Sequence, residues 1–222
     1  MRRFEFPVDL SHAKAVNQTL ADVRRLRWSG IFVALVCAAG AVGLFLVGAG
    51  WSYIVAAVLA VAAVASAWVA LWAPHKVGTI EQLYHDSPLV PAVVAAKRAR
   101  GLTLLALVDI AKPETSSRHF ALVTRNVEAV PGHRIAIGER VPCVAVLSDR
   151  TTRNTSGMWQ MVGPMPIAWG TRDQKVIADA VARIPDVEWR VLKDKLKMVD
   201  EVDATDERRL ELSSKELPPE LR

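Results

Sequence analysis

From Trp28 to His75 the sequence holds no Asp, Glu, Lys or Arg, a run of 48 residues. That is too long for one buried helix and long enough for two membrane spans of roughly 20 residues each. All 28 basic and 23 acidic residues lie outside the block. Such a chain is neither a purely soluble protein nor a many-span transporter. The spans also lack any ionisable group, the usual mark of an ion or proton path, so transport is not expected.

The block divides at Gly48-Ala49-Gly50-Trp51-Ser52, which is turn chemistry. One span is expected over residues 30–47 and a second over 53–73, stopped by Pro74. Trp28, Trp51, Tyr53, Trp68 and Trp72 fall where a hairpin meets the two membrane interfaces, the places these rings prefer. Arg24, Arg25 and Arg27 precede the first span, while Lys76, Lys97, Arg98 and Arg100 follow the second. The turn carries no basic residue, so both termini are expected in the cytoplasm of a bacterial inner-membrane protein. A cleaved leader is not expected, because the apolar run starts near residue 28 and far exceeds the roughly 7–15 residues of a signal core. Ala56, Ala60, Ala63 and Ala67 draw a small-residue stripe on the second span. Ala34, Ala38 and Ala41 draw one on the first, and close packing of the two helices is expected along them.

Residues 1–27 carry six basic and three acidic groups. Val16, Leu20, Val23 and Leu26 give residues 9–27 an amphipathic helical face, capped by Asp9 or Ser11, which suits a membrane-flanking cytoplasmic helix. Residues 76–222 hold 22 basic and 20 acidic groups, a near balance that lacks the footprint of a nucleic-acid binder. The two cysteines, Cys37 and Cys143, stand one inside and one outside the apolar block. They cannot pair, and unpaired thiols suit a reducing compartment.

Residues 76–200 are enough for one domain. A short helix is expected from Ser87-Pro88 to Gly101, with its AKRAR end basic and near the membrane. Residues 102–111, 120–130, 139–148 and 159–170 then read as antiparallel strands, with 135–137 as a short extra one. Two helices follow: one opened by a Thr171/Gln174 capping box, the next after Pro185 with Trp189 and Leu192 inward. The expected fold is a transmembrane helical hairpin plus a cytoplasmic α+β domain, a small antiparallel β-barrel or curled sheet flanked by helices. Residues 201–222 read as a charged tail, disordered or partly helical.

Catalytic signatures are missing: there is no Gly-x-Ser-x-Gly, His-Glu-x-x-His or phosphate-binding loop. Cys143, alternating with apolar neighbours, reads as a core thiol; His119 and His133 read as surface and turn residues. Asp109, inside an apolar strand, is a carboxylate without an identifiable partner. No catalytic residue, metal site or cofactor is expected. Residues 158–171 pack Trp, Met and Pro densely, and Pro164 and Pro166 place that stretch on an edge strand or bulge. Trp159, Met161, Met165 and Trp169 could then form a partner surface or close the barrel.

The strings Phe4-Glu5-Phe6-Pro7-Val8-Asp9 with His12-Ala13, Gly163-Pro164-Met165-Pro166-Ile167-Ala168-Trp169-Gly170-Thr171, Ile184-Pro185 and Glu188-Trp189 are distinctive. In them the sequence resembles an actinobacterial, chiefly corynebacterial, family of uncharacterised two-span membrane proteins with a cytoplasmic domain of unknown function. The resemblance implies an inner-membrane location and brings no activity. The expected role is a non-catalytic accessory or scaffold subunit, its hairpin docked on a larger membrane complex such as a respiratory assembly, or on a second copy. The alternative is an anchored β-barrel module that binds a small ligand or lipid head group. The lipid bilayer is a partner in either case.

Overall fold

The computed structural model describes residues 2–77, 79–115, 117–151 and 153–221; the side chains of 19, 20, 22, 23 and 73–77 lie outside that description. In chain order the elements are α1 (Leu10–Val16), α2 (Gln18–Val47), α3 (Gly50–Val77), α4 (Ile80–Asp86), β1 (Leu89–Lys97), β2 (Leu102–Asp109), β3 (Phe120–Val127), β4 (Arg140–Ser148), β5 (Met161–Pro166), α5 (Gln174–Arg183), α6 (Asp186–Asp194), α7 (Val199–Ala204) and β6 (Arg209–Glu211). They form two compact units: Asn17–Thr79, and Met1–Val16 together with Ile80–Arg222.

The first unit is the hairpin. Arg24–Val47 and Gly50–Trp72 are apolar over 24 and 23 residues, about 35 Å of helix each, enough to cross a bilayer core of about 30 Å. The break between them is shorter than expected, because α3 already starts at Gly50. Ser52 lies inside that helix, and its buried hydroxyl donates to the Ala49 carbonyl at 2.7 Å. The seam between the helices runs through Gly30, Ala34, Cys37, Ala41 and Leu44 on α2, and through Ser52, Ala56, Leu59, Ala63, Ser66 and Ala70 on α3, flanked by further half-buried positions such as Ala67. Both rows step by four and three, the seven-residue repeat that keeps a seam between two helices. Gly30 permits the closest approach, since a Cβ there would lie 3.0 Å from Ala70 Cβ and 3.3 Å from the Ser66 carbonyl. The alanines of the stripes drawn from sequence divide between the two faces. Ala34, Ala41, Ala56, Ala63 and Ala67 face inward, whereas Ala38 and Ala60 are exposed. Alanine is so frequent here that size alone does not set the phase; Ser52, Leu59 and Ser66 occupy the seam instead. Trp28, Trp51, Tyr53, Trp68 and Trp72 all point outward.

The expected single helix over 9–27 is not continuous. It breaks at Asn17, and α1 packs in the second unit, with His12 and Ala13 buried. Asp9 caps α1, its carboxylate accepting from the Ser11 hydroxyl at 2.6 Å and the His12 N–H at 3.0 Å. Arg24, Arg25 and Arg27 are exposed on α2; the side chains of Leu20 and Val23 are outside the described residues.

The second unit is built on a six-stranded antiparallel sheet in the order β5-β4-β1-β2-β3-β6. The helix expected after Pro88 is instead its central strand. Residues 89–95 are all buried between β4 and β2, so no alternation signals a strand, and Ala, Lys and Arg mimic a helix. The prolines fit because β2 pairs with β1 only from Ala92 and β5 with β4 only from Cys143. Pro91 and Pro142, which face each other, therefore each lie where one flank is unpaired. Lys97, Arg98 and Arg100 belong to the β1–β2 hairpin rather than to a helix end; Arg98 binds Asp203 at 2.6 Å and Thr103 Oγ1 at 2.7 Å. The extra strand at 135–137 is absent, and Ile135 and Ile137 are exposed in the β3–β4 connection. The expected cap of α5 moves to Asp173, whose carboxylate accepts from the Lys175 N–H at 2.8 Å.

The sheet curls. A bulge between Val94 and Ala96 raises the twist of β1. Arg125 on β3 donates to the Pro164 carbonyl on β5 at 3.0 Å, although the two strands are not neighbours. Arg209 on β6 reaches the Trp159 carbonyl at 2.8 Å. The result is a half-barrel flanked by helices: α6 lies on β1 and β2, and α5 on β4.

The C-terminal segment is part of this domain, not a solvated tail. Residues 209–211 pair with β3, and Val202, Leu212, Leu217 and Leu221 are buried. The leucines spaced through the charged run supply an apolar face that composition alone conceals. A capping box closes the end, with Glu216 accepting from the Ser213 N–H and hydroxyl at 2.9 Å each and from Lys195 at 3.0 Å. These contacts, the Ser213 N–H first, hold the Glu216 carboxyl down at about 2. A depressed carboxyl stabilises the fold above its unfolded value of 4.5 and loses that contribution as pH falls from there towards 2. Thermal unfolding of the chain across that window should fall more steeply for the parent than for Glu216→Gln; parallel profiles would remove Glu216 from the acid response.

Candidate functional site

Two strings far apart in sequence meet against the sheet. The Arg2 carbonyl accepts from the Leu89 N–H at 2.7 Å, laying the N-terminal arm along the start of β1. Phe4 is buried under the Arg183 guanidinium, 5.0 Å from its ring. Phe6 meets Tyr84 edge-on at 5.1 Å, and the Tyr84 hydroxyl donates to the Pro166 carbonyl at 3.0 Å. The Asp9 N–H binds the Gly170 carbonyl at 2.8 Å, and His12 Nε2 sits 3.0 Å from the Ala168 carbonyl.

This arm also places Arg2 against α6. One guanidinium nitrogen pairs with Glu188, a carboxylate in the first turn of α6 that is only 7 % exposed. The other, Nη1, is buried without a hydrogen-bond partner among the described residues. The pair stands at a cavity of about 220 Å³. Leu89, Leu107 and Phe120 supply its apolar lining, and Asp109 and Arg118 complete its polar side. Asp109 pairs across the ladder with Phe120. Its Oδ1 accepts from the Ala111 and His119 N–H groups, both at 3.1 Å, which fixes the β2–β3 connection that carries Arg118. Arg118 is exposed and makes no hydrogen bond or ion pair among the described residues. The arrangement can hold a polar acceptor at one end and apolar atoms at the other. Nothing in the sequence links Arg2 to Glu188, because they lie 186 positions apart.

The other titratable groups serve the scaffold. Cys143 is fully buried, and burial pushes its thiol up, against an opposing pull from Arg125. Burial lowers the His133 pKa despite Glu139 at 3.8 Å. His119 is exposed, with Nε2 3.0 Å from the Ser117 hydroxyl. Lys112 and Asn154 hold the Asp149 carboxyl below its usual range, with Lys112 Nζ at 2.7 Å and 5.3 Å from the Trp159 ring centre.

Residues 158–171, read from sequence as a partner surface or as barrel closure, are largely core. Met165 and Trp169 are fully buried, Trp159 is half-buried and Met161 is exposed. Pro164 and Pro166 do lie on an edge strand, β5, but the curl turns the inner face of that edge into the barrel.

A family model described as "Protein of unknown function (DUF3239)" matches residues 75–200. The crystal structure of a candidate membrane protein from Corynebacterium diphtheriae is similar over 56 % of this chain and 99 % of that one. The two share 38 % identity, and the TM-score is 0.52. No curated protein matches the chain.

Proposed function

This chain belongs to the DUF3239 family of proteins of unknown function, and we propose that it is a membrane-anchored, non-catalytic binding module. The observation behind this reading is the cavity beside Arg2 and Glu188, where Arg118, without a hydrogen-bond or ion-pair partner among the described residues, shares the wall with buried apolar residues. Cys143 is held in the core, and Asp109 on the cavity wall already accepts from two backbone N–H groups. The basic residues on the outer flanks of both spans support a cytoplasmic location for the two termini and hence for the sheet domain. Free thiols at Cys37 and Cys143 agree with a reducing compartment.

The test is to purify the full chain from its native membrane in mild detergent, denature it, and assay the small molecules released. One compound per chain, lost from an Arg118→Gln variant, is the expected result. A chain that releases none refutes the reading.

A second reading, an accessory subunit docked through its hairpin, is favoured by one feature. The outer face of α3 carries an apolar groove of about 600 Å³ lined by Ala60, Val61, Val64, Ala65, Trp68 and Val69. Ala60 is exposed there, so Ala60→Leu fills the groove without touching the seam. It should strip any membrane partner, or a second copy of this chain, from the purified protein; unchanged co-purification would discard hairpin docking.

A further inference from the structure

We infer that the cavity beside Arg2 takes a small organic monocarboxylate with a short apolar tail; this rests on the binding-module reading and names its ligand class. Four charged side chains bear on the cavity: Arg2, Arg118, Asp109 and Glu188. Arg2 and Glu188 neutralise one another, yet the pair leaves Arg2 Nη1 buried and without an acceptor. Asp109 is tied to the Ala111 and His119 N–H groups through one oxygen. Arg118 is the cation left without a counter-charge among the described residues. The four charges sum to zero, so the head group is set by free donors rather than by net charge: Asp109 already accepts from two backbone N–H groups, whereas Arg118 has no acceptor among the described residues, and its planar fork suits a carboxylate.

A dianion fits badly. Glu188 is buried at the same wall and Asp109 lines the cavity, so each added negative charge is opposed by two carboxylates, and a second one has no further free cation to meet it. A cation offers Arg118 no acceptor. The remaining lining is Pro88, Leu89, Val90, Leu107 and Phe120, each buried, so the part of the ligand beyond its head group must be apolar. A volume of about 220 Å³ lies below the usual range for drug-sized ligands, which limits the tail to a few carbons.

The full chain, tagged at its C-terminus and held in a non-ionic detergent, is dialysed against labelled hexanoate, with acetate, butyrate and inorganic phosphate as competitors. Hexanoate is expected to bind at one per chain. Affinity should rise about fourfold for each methylene from acetate to hexanoate, as tail atoms leave water. Phosphate should not compete. Arg118→Gln, an exposed change that spares the fold, should weaken hexanoate by about tenfold or more, and Arg118→Lys should recover part of the loss. Phosphate binding more tightly than hexanoate, with the same dependence on Arg118, would overturn the ligand class and leave the binding module standing. Hexanoate uptake indifferent to Arg118→Gln is partition into detergent and overturns the inference. Failure of every probe overturns it as well, and the denaturation assay then decides separately whether the module binds anything.

Discussion

Trp169→Ala is expected to destabilise the sheet domain by about 3–5 kcal/mol, the loss typical of a large aromatic removed from a packed core. Trp169 has no solvent exposure. Its indole N–H donates to the Ala129 carbonyl at 2.9 Å, and the Arg125 guanidinium lies 5.1 Å from its ring centre. Arg125 in turn holds the Pro164 carbonyl across the curl. Truncation therefore opens a cavity, orphans a carbonyl and frees the side chain that ties β3 to β5. Whole domains are stable by only about 5–15 kcal/mol, so this one change threatens the fold. Trp169→Phe separates the contributions: it keeps most of the apolar bulk and loses the hydrogen bond, at about 1–3 kcal/mol. Denaturant unfolding of the full chain in detergent measures both. A loss below about 1 kcal/mol for the alanine variant would mean that the curl does not depend on Trp169.

The hairpin was legible because a bilayer demands apolar length and tolerates no charge within it, which is a statement about composition. Its seam was not, since a helix rich in alanine offers several phases of equal size. Strands β2 to β5 were legible from β-branched runs bounded by turn residues. The strand at 89–97 was lost for a physical reason: a strand buried on both faces has no period of two. Helix α4, only seven residues long, left no periodic trace between the span and Pro88. The C-terminal segment was misjudged because its charges outnumber the leucines that do the packing. The strings that carried the family resemblance mark real contacts, with residues 4–12 against 166–170, and Glu188 of a third string paired with Arg2. The cavity itself was invisible, because no local pattern joins Arg2, Asp109, Arg118 and Glu188. Only the curl and the N-terminal arm bring them together.

Gly101→Ala distinguishes the two accounts of residues 88–101 by magnitude. As the residue after a helix, a glycine replaced by alanine costs about 1 kcal/mol, the penalty of a left-handed backbone with a Cβ. In the hairpin between β1 and β2 the same residue sits at φ +100, outside the region that a side chain tolerates, and its carbonyl accepts from the Arg98 N–H at 3.0 Å. An added Cβ would lie 2.1 Å from the Val127 carbonyl oxygen and 2.8 Å from Glu128 Cα, both backbone atoms that no rotamer can move aside. The end of β3 must shift, and with it the pairing of Leu102 to Val127. Strain at one residue costs about 1–3 kcal/mol, and the displaced strand end adds to it, so a loss of about 3 kcal/mol or more is expected. Hydrogen exchange in the full chain locates the damage: amides of β2 and β3 next to the turn lose protection first, while those of β5 follow only global unfolding. A cost near 1 kcal/mol, with the β2 and β3 amides unaffected, would contradict the hairpin and restore the helix.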